Sequence, residues 1–433
     1  MAREKSPEIG QARALLGEKR AAHYTSITKW MPRLDFQLSQ SDTLDFSLVQ
    51  SGALGTLAQS GFSFSPVETP LMKWSLNLSM PIYRRSVHVG LEEASAQMDL
   101  ADSQFESKMS ELEWRMHSLF SAYLLDLYRD ATIQTSIDIA QSNLREAKLR
   151  FELGQRTRVD VLRSESNLVS LQSRKISYQT DKDSDLSAFL NYSGLSGADL
   201  RSAGTDQLLS NESEITQAID QFTELGRLAR SLEGRLEPPA PEEPGPLDQS
   251  PSFRNIRLSE DLSVTQARNA MAQEFPELLL QGSLSKEGPH WDDAFSSGSQ
   301  SHSIAVVLNV PLFTGGSTLS TYYEKINAQA AARTKGESDL LQLKNDIEKD
   351  RNQIKTLRKS VESLSLNLSQ NDELVRLSFK SYQLGKSTLV EVLSSQNDLL
   401  DSKFNLAKAK LDLSTVSRRL AWNLGIPIAG ASP

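Results

Sequence analysis

The chain has no cysteine in 433 residues, which excludes disulfides, thiolate metal sites, cysteine nucleophiles and a lipidated cysteine within this sequence. It has no run of 18 or more apolar residues, so no membrane-spanning helix is expected. Positive charge is in deficit: 47 Lys and Arg against 55 Asp and Glu leave a net −8. Neutralising a phosphate backbone needs a basic surface, so nucleic acid is excluded as a general partner. Apolar residues make up only 38%, too few to fill the core a chain of this length could enclose. Thin bundles, whose helices expose two faces, have that balance. The first residues, Met1 to Pro7, carry basic side chains with no apolar segment behind them and do not read as a signal peptide. The protein is therefore expected to be cytosolic, or exported from a precursor whose signal has been removed. The five histidines, His23, His88, His117, His290 and His302, have no metal-ligand spacing. No phosphate-binding glycine loop or nucleophile elbow is present. No catalytic residue, metal or cofactor is predicted.

Proline is missing from two long stretches, residues 82–237 and 312–426. Because proline inside a helix costs about 3 kcal/mol, such gaps invite very long helices. Glycine is scarce in the same places: only Gly90 and Gly154 lie between Arg84 and Ser193, and only Gly336 and Gly385 between Thr318 and Leu424. In the second gap Leu340, Ile347, Ile354, Val361, Leu368 and Val375 recur every seven residues. The companion positions, Leu343, Asp350, Leu357, Leu364, Asn371 and Ser378, are half apolar. A seam of period 3.5 held this long predicts a coiled-coil helix. At about 1.5 Å per residue its roughly 67 residues would extend roughly 100 Å.

The pattern is written twice. Met80-Pro81-Ile82-Tyr83 matches Val310-Pro311-Leu312-Phe313, and Arg150 to Gly154 matches Ser381 to Gly385 at nearly the same offset. Shifted by that offset, the seam falls on Met109, Met116, Tyr123, Ile137 and Leu144, with Asp130 as the one break. Residues 1–249 and 250–433 are therefore read as duplicated halves. Each half holds a first helix, two strands and a helical hairpin, at about 84–193 and about 316–424. Strands are expected at about 33–48, 72–82, 276–285 and 302–313, where apolar residues alternate with polar ones and take the even numbers. About ten residues is the length of a tilted strand crossing a bilayer, although a soluble sheet with one wet face fits the alternation equally well. The serine- and glycine-rich loop containing Phe62 to Pro66 joins the first pair. Residues 194–249 form an insertion that ends in a proline-rich run, expected to be an exposed linker.

One motif recurs at matched places: aromatic, two residues, glycine, five residues, then acid-Val-Leu. It stands as Phe151-Glu152-Leu153-Gly154 through Asp160-Val161-Leu162, and again as Tyr382-Gln383-Leu384-Gly385 through Glu391-Val392-Leu393. With the order of elements, it makes nearly the whole chain resemble the TolC family of outer-membrane efflux proteins. The resemblance implies a mainly α fold with a membrane β-barrel. Long antiparallel coiled-coil hairpins would form an α-barrel, and a homotrimer would pool four strands per chain into one twelve-stranded barrel in outer-membrane lipid. The insertion would belong to the equatorial region around the helices. The implied function is a passive exit duct of a tripartite efflux pump or type I secretion system of a Gram-negative bacterium, its helices in the periplasm. It would be joined by a periplasmic adaptor to an inner-membrane transporter. The alternative is a coiled-coil scaffold or adaptor without a pore. The gate would lie at the hairpin tips, with Asp160, Tyr382, Glu391 and Arg156 as its residues. Leu153, Gly154, Leu384 and Gly385 would receive the adaptor. Ser387 and Ser394 depart from the family pattern, which has Arg and an acid there.

Overall fold

The computed structural model describes residues 5–45, 67–196, 212–224, 246–296 and 299–426. The order is α1 (Pro7–Thr28), β1 (Arg33–Asp45), β2 (Val67–Arg84), α2 (Arg85–Glu152), α3 (Arg158–Ser193) and α4 (Glu212–Glu224). After a 3₁₀ turn follow α5 (Pro251–Ala272), β3 (Glu277–Gly288), α6 (Trp291–Phe295), β4 (Ser299–Asn309), α7 (Ser317–Gln383) and α8 (Leu389–Asn423). The two proline gaps thus hold two hairpins, each a helix of 68 or 67 residues followed by one of 36 or 35. Contacts divide the chain into two units: residues 1–17, 100–259 and 334–433, and residues 18–99 and 260–333. Each unit takes segments from both halves of the sequence.

In the helical unit the seam of α7 is visible in its burial. All twelve heptad positions from Leu340 to Ser378 are buried or half-buried, while most residues between them are exposed. Leu343, Ile347 and Ile354 pack with Val416, Leu420 and Leu424. The polar members of the seam find partners on α8. Asp350 accepts from Arg419 Nε at 3.0 Å and from Asn423 Nδ2 at 3.3 Å. Asn371 donates to Ser402 Oγ at 2.6 Å, and the Ser378 and Ser395 hydroxyls lie 2.8 Å apart. Asp130, the break in the first seam, is paired with Lys182 of α3 at 2.6 Å. Buried polar groups are tolerated when hydrogen-bonded, and here the pairs also tie each long helix to its returning one.

A second core joins Leu124, Tyr128 and Ile133 of α2 to Leu171 of α3 and to Leu400, Phe404 and Leu411 of α8. Ile215 and Ile219 of α4 enter the same core, so the described part of the insertion is a helix docked on the bundle. Lys403–Glu212 and Lys410–Asp220 pairs at 2.6 and 2.5 Å flank it. Each hairpin also closes against the stretch just before the first helix of its half. Gly194 and Gly425, just past α3 and α8, adopt φ of +68° and +69°. A Cβ at Gly194 would collide with the Lys5 carbonyl oxygen, and one at Gly425 with that of Gln249. Glycine is required twice over, by backbone conformation and by space.

In the other unit the four strands form one antiparallel sheet in the order β1-β2-β3-β4. Even-numbered residues pair with even-numbered ones across every ladder: Leu34 with Leu78, Leu78 with Gly282, Gly282 with Ile304. The same face carries Phe36, Leu76, Leu284, Met80, Leu280 and Val306. Its large apolar side chains are open, with Ile304 87% exposed and Val306 60%. The odd face pairs Gln37 with Ser75, Asn77 with Ser283 and Ser283 with Ser303. The sheet is therefore apolar on one side and polar on the other, with β1 and β4 at its two edges. β2 begins earlier than expected and runs 18 residues, pairing with β1 as far as Asp45. β4 ends at Asn309 rather than near 313, because Pro311 has no N–H to give a ladder. The loop around Phe62 and most of the proline-rich run lie outside the described residues. No described helix is long and apolar enough to cross a membrane.

Candidate functional site

The two hairpin tips lie in the helical unit and are built alike. α2 ends as Gln155 N–H reaches the Arg150 carbonyl and Gly154 N–H reaches that of Phe151, both at 2.9 Å. α7 ends as Lys386 N–H reaches Ser381 at 2.9 Å and Gly385 N–H reaches Tyr382 at 3.0 Å. This pair of bonds needs a left-handed residue, usually glycine, and Gly154 and Gly385 supply it with φ of +69° and +70°. Nothing lies within 4 Å of a Cβ at either glycine, so conformation alone selects them.

The returning helices begin with matched caps. Thr157 N–H and its hydroxyl both donate to Asp160 Oδ2, at 3.3 and 3.2 Å. Glu391 N–H donates to Thr388 Oγ1 at 3.4 Å, and that hydroxyl donates to Glu391 Oε1 at 3.3 Å. The acids of the repeated motif are therefore the third residues of α3 and α8, where each carboxylate holds the capping threonine's hydroxyl and favours the helix dipole, Asp160 also accepting the Thr157 N–H. That structural duty explains why both copies of the motif hold an acid there.

The two tips differ at the aromatic position. Phe151 is 43% exposed, whereas Tyr382 is 3% exposed among Phe379, Leu389, Val392 and Leu393. The guanidinium of Arg156 lies 4.5 Å from the Tyr382 ring centre and that of Arg150 lies 5.4 Å away. Arg156 Nη2 also donates to the Tyr382 carbonyl at 3.3 Å. The first hairpin thus holds the second by two arginines on one ring. Burial pushes the Tyr382 phenol up; the two arginines work against that, while nearby Asp160 and Glu146 add to it. Asp160 acts on Tyr382 through its field, with its carboxylate bonded to Thr157. Ser387 turns back to donate to the Ser378 carbonyl at 3.2 Å, and Ser394 is exposed. Arg150 was not legible beforehand: its partner lies on the other hairpin, and its own repeat mate is Ser381.

The remaining predicted residues stand open. Leu153 is 63% and Leu384 64% exposed, each beside its turn glycine. Three acids near them are paired, Glu146 with Arg150 at 2.5 Å, Glu165 with Lys148 at 3.1 Å and Glu373 with Arg376 at 2.6 Å, while Glu152 and Glu391 are exposed. Arg145, Arg158, Arg163, Lys380 and Lys386 are exposed and form no ion pair among the described residues. Basic residues slightly outnumber acidic ones at the tips, on a chain that is acidic overall.

The sequence profile of the family described as Outer membrane efflux protein matches residues 1–195 and 246–425. The chain is 22% identical over 359 residues to alkaline protease secretion protein AprF of Pseudomonas aeruginosa, covering 81% of this chain and 69% of AprF. It is 22% identical over 422 residues to outer membrane protein TolC of Vibrio cholerae, covering 94% of this chain and 91% of that one. Its fold is similar to the crystal structure of the outer membrane protein VceC from Vibrio cholerae. That likeness has a TM-score of 0.75 at 14% identity and covers 98% of this chain and 94% of VceC.

Proposed function

The chain belongs to the outer membrane efflux protein family, and on that premise we propose that three copies close their sheets into one barrel, gated at the helical tips. The protein is an outer-membrane channel for efflux or secretion, not a pore-less scaffold or adaptor. The observation that carries closure with further copies is the two-faced sheet with two free edges, and the number three follows the family. An open edge leaves backbone N–H and C=O groups unpaired, which hydrocarbon does not permit. Pairing β4 of each copy with β1 of the next removes every edge. The even face then meets lipid and the odd face, with its Ser, Asn and Gln, lines water. Residues 1–249 and 250–433 act as duplicated halves, a reading supported by the matched turns at Gly154 and Gly385 and the matched closures at Gly194 and Gly425.

Passage is passive. An inner-membrane transporter supplies the energy, and a periplasmic adaptor meets the tips. The open Leu153 and Leu384, with Gly154 and Gly385, give that adaptor an apolar seat within a basic rim, which suits an acidic partner end. Selectivity among substrates rests with the transporter.

Arg156 and Tyr382 form the latch that holds the two hairpins of one chain together, and Asp160 and Glu391 stiffen the helix starts on which it rests. Removing Arg156 forfeits a shielded cation–π contact of about 1–2 kcal/mol and a charge-assisted hydrogen bond of about 1.5–3 kcal/mol. In planar-bilayer recordings of the reconstituted protein, Arg156→Ala should raise conductance or opening frequency. Tyr382→Phe keeps the ring beside the two arginines and should change the recordings less. Equal, parent-like traces from both variants would remove the latch from the gate.

A further inference from the structure

The loop between β3 and β4 does not stand clear of the sheet. Its helix, α6, turns back onto the even face. Trp74 Nε1 donates to the Ala294 carbonyl at 3.0 Å, and Ala294 is fully buried. The Trp74 ring stacks on Phe295 at 6.4 Å and 11° and on Phe36 at 6.5 Å and 26°. Trp291 continues the row at 6.3 Å from Phe295. The contact is close enough to require Gly288: a Cβ there would stand 2.8 Å from Asp293 Cβ and 2.9 Å from the Ala294 nitrogen.

This row falls where the apolar band of the sheet ends. Leu38, Trp74, Lys286 and Gln300 are register neighbours across the four strands. On the next even row toward the helices stand Phe36, Leu76 and Leu284 with His302, and beyond it Leu34, Leu78 and Ile304. Lys286, the one cation on this row, donates to the Ser296 carbonyl at 2.8 Å, just past α6. Phe295 and Phe36 remain 59% and 62% exposed. An aromatic cluster half covered by a polar helix, beside a lysine at the edge of an apolar wall, has the chemistry of a membrane–water boundary. Tryptophan prefers that level, and a lysine stem can lie on the apolar surface with its amine among headgroups.

We propose that α6 is a membrane-interface anchor, folded outward onto the barrel wall to seat Trp291, Phe295 and Lys286 in the headgroup layer of the outer leaflet. The loop therefore leaves the pore mouth and fixes how deep the barrel sits. The proposal rests on the barrel reading above. Continuity with the lipid-facing band argues for lipid rather than a protein as the occupant.

The test uses the full chain in vesicles of phosphatidylethanolamine and phosphatidylglycerol, with nitroxides at the headgroup or at mid-chain. The emission lost in Trp291→Phe and in Trp74→Phe isolates each ring's quenching. Trp291 should be quenched by the headgroup nitroxide and less by the mid-chain one. Gly288→Ala should detach α6 and abolish lipid quenching of Trp291 while that of Trp74 persists. Quenching of Trp291 by aqueous iodide and not by lipid would overturn the anchor with the barrel intact, placing the loop in water or under a protein partner. Loss of lipid quenching at Trp74 as well would overturn the barrel reading itself. Unchanged Trp291 quenching in Gly288→Ala would overturn the clamp.

Discussion

Asp350→Ala is the sharpest test of how the long helices are held. Asp350 is 1% exposed at a seam position flanked by Leu343 and Leu357, and it accepts from Arg419 and Asn423. Its hydrogen bond to Arg419 raises the guanidinium's pKa despite opposing burial. Breaking a buried pair from one side costs about 3–5 kcal/mol. The Arg419 side chain is 34% exposed, so water recovers part of this and about 2–3 kcal/mol remains. Asn423, also buried, loses an acceptor for about 1 kcal/mol more. The sum is about 3–4 kcal/mol per chain. Asp350→Leu with Arg419→Leu replaces both charges by apolar groups and should lie within about 1 kcal/mol of the parent. The assay is urea denaturation in detergent, followed by helical circular dichroism at fixed protein concentration because an oligomer's stability depends on it. If Asp350→Ala is neutral, or the double variant is as unstable as the single one, the pair is not what joins α7 to α8.

Gly425→Ala combines left-handed strain of about 1–2 kcal/mol with a backbone collision, whereas Gly154→Ala carries the strain alone. The first should lower the thermal midpoint clearly more than the second, and equal shifts would show that the Gln249 contact yields. His117 is pushed from 6.5 down to about 3 by burial, with Arg418 adding to it, and its Nε2 lies 3.0 Å from Ser414 Oγ. A depressed folded-state value means that its stabilisation is full above about 6.5 and is lost as pH falls toward 3, on the order of 5 kcal/mol when complete. His117→Gln should therefore flatten the stability profile between these limits, and a parallel profile would refute the assignment. Asp126, raised to about 6 by burial, has the opposite sign and is shared by both proteins, so the difference between them isolates the histidine.

The heptad of α7 was legible because burial follows period 3.5 whatever the partner. The polar seam positions were not, since Asp350 needs Arg419, 69 residues on, and no local pattern announces that pairing. The strands were legible from alternation. The early start of β2 was not, because it follows from pairing with β1 rather than from its own pattern. Helix α4 escaped notice as a short segment inside an insertion, though Ile215 and Ile219 stand one turn apart. At the tips the turns and caps could be read from Gly154, Thr157, Gly385 and Thr388. The two arginine contacts to the Tyr382 ring could not, because they are made between hairpins. Phe151 and Tyr382 look equivalent in the motif, and only packing distinguishes the open ring from the enclosed one.

The parity of the sheet sets a rule for how this sequence can change over evolutionary time. Even meets even through all three ladders, and the register shifts only between Pro81 and Tyr83, where β2 leaves for the helices. Substituting one residue alters one side chain. Inserting or deleting one residue within a strand turns every residue beyond it to the other face, carrying serines and asparagines into oil and leucines into the water column. Length variation among descendants should therefore gather in the connection at residues 46–66 and around α6. Within the strands it should come in twos, or beside a bulge that absorbs the odd residue.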